Sequence, residues 1–329
     1  MSKKSLIASL LSLAAAVAPL SAQSYLFYLE AQGIAGYSSA AKKAVFFTMS
    51  REEVMQKPSL GFDYVQRFSG ASGDFAILAI QGRLSVNTDW GKTLEPQIYN
   101  AYLKMKTGLA NFWLGHNKPK FGLSDVLDNH ATLLQPLSMM GFGFDRDWGI
   151  GVERDFSGGS AGISLTTGSG MGLRTDGSYF LAGRISKGVL GQDNFSGGFS
   201  AALGRTYDIV GYERLSESAM PILLAGADLT WRGNNWEHNF EIMAGSRDER
   251  GAAAVFWRTG LALLEESRLR LEVQPVFVVM QGSAQFQVSA GATYLPHPDW
   301  TLRTMVAYDS ELKEGKVLFQ IYYYKGIRF

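Results

Sequence analysis

The chain of 329 residues contains no cysteine. That excludes disulfides and a lipid-modified N-terminal cysteine, and it leaves no thiol for redox chemistry or metal binding. Beyond residue 22 the chain also lacks an uninterrupted apolar run of the roughly 20 residues that a membrane-spanning helix requires, and its mean hydropathy is close to zero. Histidine is scarce, with only His116, His130, His238 and His297. Charge of one sign is missing too: 31 Lys+Arg face 30 Asp+Glu, so no basic excess argues for a nucleic-acid partner.

What is abundant is glycine, at 37 residues, and aromatic side chains, at 12%. At the N-terminus Lys3 and Lys4 precede an apolar run from Leu6 to Val17, followed by Ala18, Pro19, Leu20, Ser21 and Ala22. This pattern reads as a secretory signal peptide over residues 1–22, leaving 23–329 as the mature domain, and the run is too short for a membrane helix. Removing Lys3 and Lys4 from the 31 basic residues leaves 29 against 30 acidic ones, a net charge of −1.

Near the other end Val317, Phe319, Ile321, Tyr323, Ile327 and Phe329 share one alternating phase, with Gln320, Tyr324 and Arg328 in the other. A period of two puts these sets on opposite faces of a strand. Similar alternation marks sixteen segments: 25–37, 60–68, 75–86, 97–106, 110–117, 148–155, 160–167, 179–186, 194–203, 222–232, 236–245, 252–263, 268–279, 285–294, 300–308 and 316–329. Connections after even-numbered segments are mostly short and several odd-numbered ones long, as in outer-membrane barrels with periplasmic turns and external loops. The reading is an all-β fold, a transmembrane antiparallel β-barrel of about 16 strands, with 14 and 18 as the alternative counts. It reconciles a membrane location with near-zero hydropathy, because only alternate residues of each strand of about 9 to 11 residues face lipid. Trp231, Trp236 and Trp300 fall at turn ends, and Tyr37, Tyr99, Trp148 and Tyr308 at loop ends, as two aromatic belts. A soluble β-sandwich explains the alternation but not the belts and both termini together.

The polar phase faces the lumen. It carries Arg67, Arg83, Lys104, Lys106, Arg184, Arg258, Arg268, Arg270 and Arg303 against Asp63, Asp228, Glu237, Glu241 and Glu272. The cationic excess points to a weak anion preference; the alternative is that these charges pair across the wall and select nothing. Sixteen strands leave an aqueous channel, so passive diffusion of small hydrophilic solutes or ions is the expected activity, with no cofactor.

Two stretches carry a family resemblance. The last strand, stopping at Phe329, resembles the closing strand of bacterial outer-membrane barrels, which implies recognition by the barrel-assembly machinery. Asn100-Ala-Tyr-Leu-Lys-Met-Lys and the run from Asn111 to Leu123, with His116-Asn-Lys-Pro-Lys-Phe-Gly at its core, resemble a hairpin and loop of the porin superfamily, nearest to the phosphate-selective group. The resemblance implies export through the Sec pathway to the outer membrane of a Gram-negative bacterium, contact with lipid and lipopolysaccharide, and a homotrimer. It also implies that the third external connection, 118–147, folds into the lumen as the constriction. Leu123, Val126, Leu127, Leu133, Leu134, Leu137, Met139 and Met140 suit a packed insert, with Lys118, Lys120, Ser124, Asp125, Asp128 and His130 at the eyelet. Asp125, Asp128 and Asp145 depart from a dense cationic ladder, which favours a general porin over a phosphate channel.

Two rival functions remain at this level. One is a sheath around an electron-carrying cytochrome, whose haem would belong to the partner because this chain has no cysteine to attach one. The other is an outer-membrane enzyme, for which His130 with Asp125 or Asp128 is the available constellation.

Overall fold

The computed structural model describes residues 22–48, 56–71, 73–87, 92–127, 130–190, 192–210 and 212–327. Residues 1–21 of the expected signal segment 1–22, Asp128 and the C-terminal Phe329 lie outside these residues.

Sixteen wall strands follow one another: β1 Ala22–Ser38, β2 Ser59–Gly70, β3 Gly73–Asn87, β4 Lys92–Lys106, β5 Asn111–Asn117, β6 Asp147–Phe156, β7 Gly159–Thr166 and β8 Tyr179–Lys187. The second half is β9 Phe195–Thr206, β10 Met220–Gly233, β11 Trp236–Arg247, β12 Arg250–Leu263, β13 Leu269–Met280, β14 Ser283–His297, β15 Trp300–Asp309 and β16 Glu314–Ile327. Each pairs antiparallel with its neighbours in sequence. β16 closes the circuit on β1, from Phe27 opposite Ile327 to Ser38 opposite Lys316, so the wall has no free edge. A short outside strand, Lys43–Val45, pairs with the loop end of β1, and a two-residue hairpin lies within 207–219.

Connections at one end are tight. The β10–β11 join is Asn234 and Asn235, with Asn234 at φ 51°, the left-handed conformation that asparagine tolerates in a hairpin turn. At the other end lie the long connections 39–58, 118–146, 167–178 and 207–219. That loop end is the external one in outer-membrane barrels.

Burial follows the period of two. On β9 and β10, Phe199 and Leu223 are 71% and 58% exposed, whereas Ala202 and Leu224 beside them in the other phase are 4% and 2% exposed. Apolar side chains open to the outside around a closed wall form a surface for a bilayer, since a water-soluble protein seldom exposes so continuous a patch. Trp231, Trp236, Trp300, Tyr37 and Tyr308 lie on this outer surface. Lys325, in the apolar phase, reaches within 3.9 Å of Asp299 in the last tight turn, so its charge leaves the apolar belt. Ile242, at the middle of β11, is outward and 44% exposed. Ile242→Arg is expected to cost about 2–4 kcal/mol, read as a shift of the urea midpoint in lipid vesicles; an unchanged midpoint would contradict the assigned face.

Tyr99 corrects the expected external belt. It is 3% exposed, not lipid-facing. The β3–β4 ladder slips by one residue, Gln81 pairing with Asn100 and Gly82 with Ile98, so Tyr99 is the extra residue of a β-bulge. A bulge reverses the facing on one side of it. Glu95 and Gln97 above it and Tyr99 and Asn100 at it therefore turn inward together.

Candidate functional site

The connection 118–146 meets inward-facing side chains on most of the wall, because its backbone and the wall supply complementary partners. At its start the backbone N–H groups of Lys120, Gly122 and Leu123 donate to Ser164 Oγ (2.9 Å), Ser200 Oγ (3.0 Å) and Glu241 Oε1 (2.7 Å) on β7, β9 and β11. Further on, the Arg258 guanidinium of β12 donates to the Leu134 carbonyl at 3.0 Å, and Gln274 Nε2 of β13 donates to the Gln135 carbonyl at 2.9 Å. Phe121, Leu123, Leu137 and Phe142 are buried against Phe180, Leu224, Met243, Phe256, Val276 and Val278, the apolar part of the inner wall. Gly122 is at φ 64°, and a Cβ there would meet the Glu241 carboxylate and Met243, so glycine permits both the turn and the approach.

The expected eyelet residues are held in specific pairs. Lys118 Nζ donates to the Leu127 carbonyl. Lys120 Nζ lies 2.9 Å from Asp125 Oδ1 and 2.5 Å from Glu153 Oε2, and Lys104 pairs with the other Glu153 oxygen. Burial works against the Lys120 charge, but Asp125 and Glu153 outweigh it and hold its pKa up to about 12. Ser124 Oγ donates to the Phe121 carbonyl at 3.2 Å. His130 Nε2 is 2.7 Å from Glu30 Oε2 and 3.0 Å from Gln81 Nε2, on β1 and β3. His130 thus partners Glu30 and Asp125 partners Lys120, so His130 and Asp125 are not joined as an acid–imidazole pair; Asp128, the other acid of the catalytic reading, lies outside the described residues.

Around His130 lies a polar network that fills the β1–β4 side of the lumen. Tyr99 meets the His130 ring edge-on at 4.4 Å and carries the guanidinium of Arg146 4.0 Å above its own ring. Arg146 donates to Asn100 Oδ1 at 2.9 Å and pairs with Asp145. Arg83 donates to Gln97 at 2.7 Å and to Gln56 at 3.3 Å. Lys57, beside Gln56 in the first long connection, pairs with Glu95 at 3.0 Å.

Open space lies along β13–β15, beyond β16 from this network. A cavity of about 500 Å³ at the loop end is lined by Gln274, Val276, Gln285, Ser289, Met305 and Asp309 among others. A second, of about 300 Å³, lies toward the tight turns and is lined by Arg258, Arg270, Glu272, Thr293 and Arg303 among others. Leu133 borders both. Of the expected wall charges, Arg258, Arg270, Arg303, Glu237 and Glu272 therefore come together at one cavity. Arg184 instead makes two bonds to Asp228, at 3.1 and 2.6 Å, within the wall. Arg67 and Lys106 are exposed near the tight-turn end, and Arg268 donates to the Pro296 carbonyl there at 3.3 Å. Asp128 is outside the described residues.

Several lumen residues went unnoticed in the sequence. Glu30 and Arg247 lie in the inward phase of regular alternation, which was the available signal. Tyr99 and Arg146 carried none, since one sits on a bulge and the other in an irregular connection.

The sequence matches no protein-family model, and no curated relative matches it. Solved structures match in fold. A loop L8 deletion mutant of OmpT, an outer membrane protein of Vibrio cholerae, aligns with TM-score 0.65 at 11% identity, covering 92% of this chain and 100% of that one. An anion-selective porin from Comamonas acidovorans aligns with TM-score 0.64 at 12% identity, over 92% and 100%. The outer membrane channel DcaP of Acinetobacter baumannii aligns with TM-score 0.58 at 13% identity, over 92% and 97%. At these identities the likeness is one of fold. The chain has the closed β-barrel fold of outer-membrane porins, with the lipid-facing outer surface that such a location demands.

Proposed function

We propose that the barrel is an outer-membrane channel for passive diffusion of small hydrophilic solutes and ions, with a weak anion preference. The observation that carries this reading is the pair of polar, charge-lined cavities stacked along β13–β15 inside a wall of sixteen strands. The connection 118–146 acts as the constriction, since its residues 132–135 lie between the cavities and Arg258 and Gln274 pin their carbonyls. The cavity near the tight turns carries Arg232, Arg258, Arg270 and Arg303 against Glu237 and Glu272, which supports the anion preference. A general porin fits better than a phosphate-selective one, because Asp125 neutralises Lys120 in the constricting segment. The chain works without catalytic turnover. It is exported through the Sec pathway, closed into the membrane by the assembly machinery, surrounded by lipid and lipopolysaccharide, and forms a homotrimer.

Swelling of proteoliposomes in isosmotic sugars tests the reading. Swelling that slows as the sugar grows is expected; vesicles that do not swell in any solute would contradict it. Arg270→Glu combined with Arg303→Glu is expected to move the reversal potential toward cation selectivity under a salt gradient, and no movement would remove these residues from the selectivity assignment.

A further inference from the structure

The two cavities carry opposite charge. Around the loop-end cavity Asp208, Asp309, Glu311 and Glu314 stand against Arg247 and Lys316. Around the turn-end cavity four arginines, 232, 258, 270 and 303, stand against Glu237 and Glu272. Short pairs cancel part of each set: Arg247 with Asp208 at 2.8 Å, Lys316 with Glu314 at 3.4 Å, Arg232 with Glu237 at 2.9 Å and Arg270 with Glu272 at 3.0 Å. Summed over the described lining residues, the loop-end cavity carries two more acids than bases, and the turn-end cavity two more bases than acids.

Their order along the barrel axis is fixed by the strands. On β15 Arg303 is followed by Met305, Ala307 and Asp309 in the same phase; on β13 Arg270 and Glu272 are followed by Gln274 and Val276. Between them Leu133, Leu134 and Met305, buried with Ile34 and Leu318, form an apolar septum. The two sets of charges are therefore separated by an apolar zone, with the Arg258 guanidinium on the Leu134 carbonyl marking its turn-end edge.

From this arrangement we infer that the pore rectifies, passing more current when its loop end is positive than when it is negative. The inference rests on the channel reading above. Fixed acids concentrate mobile cations in the loop-end cavity, and fixed bases concentrate anions in the turn-end cavity. With the loop end positive, both populations move toward the septum and fill it with carriers. With the opposite polarity both are drawn away, and replacement ions must cross a cavity that repels them. Salt screens the effect, since the Debye length falls from about 10 Å at 0.1 M to about 3 Å at 1 M.

Single channels of the full-length protein in planar bilayers test this. Orientation is read with Leu312→Cys, a residue that lines the loop-end cavity and is 51% exposed. The chain has no other cysteine, so a membrane-impermeant thiol reagent lowers the current only from the chamber that the loop end faces. In 0.1 M KCl the loop-end-positive current should exceed the reverse by about twofold, and in 1 M KCl the ratio should approach one. Asp309→Asn with Glu311→Gln should bring the 0.1 M ratio toward one. Equal currents at 0.1 M, the opposite polarity, or a ratio indifferent to these substitutions would overturn the inference while leaving the channel reading intact. Absence of unitary currents would overturn both.

Discussion

Deletion of residues 127–140 is expected to raise single-channel conductance several-fold and to weaken discrimination between solutes of different size. The segment holds Leu133, which borders both cavities, and the carbonyls pinned by Arg258 and Gln274. Without it the two spaces merge into the aqueous interior that sixteen strands enclose. The wall should survive, because its closure rests on strand-to-strand ladders such as β1 with β16 and not on the segment. Thermal stability should nonetheless fall. Phe256, Val276 and Val278, now covered by Leu137 and its neighbours, would face water, at about 25 cal/mol for each Å² uncovered. Conductance is read in planar bilayers on protein that has first been shown to retain barrel β-structure. Unchanged conductance and unchanged size selection would show that the segment does not constrict.

Asp228→Ala is expected to destabilise the barrel by about 3–5 kcal/mol. Asp228 receives both bonds of the Arg184 guanidinium, and the two side chains are only 3% and 5% exposed. Removing the carboxylate strands a buried positive charge, whereas replacing both members removes the need for a partner. Arg184→Leu with Asp228→Leu should therefore recover most of the loss. Urea unfolding in vesicles measures both. An Asp228→Ala variant as stable as the parent would mean that water already reaches Arg184 and that this part of the wall is not dry.

The wall was legible because its physics is local. Lipid outside and water inside impose a period of two on every strand, so segments such as 285–294 and 316–329 show their facing in the sequence, as the observed strands Ser283–His297 and Glu314–Ile327 bear out. Facing failed at Tyr99, where one inserted residue shifts the ladder without changing the composition of the strand. The interior was less legible because its partners are remote in sequence. Which wall residue meets His130 depends on how an irregular connection crosses the barrel, and Glu30 is 100 residues away. The apolar residues at 123, 127, 133, 134 and 137 signalled a packed insert, and all are buried. The first connection gave no such signal, although Gln56 and Lys57 are buried in the lumen network.

The central claim is that this wall encloses a water-filled path. Unitary currents of purified protein in planar bilayers test it most directly. The account predicts discrete steps of uniform size that scale with salt at high concentration. Protein with intact barrel β-structure that inserts into the bilayer and gives no steps at any voltage would contradict it.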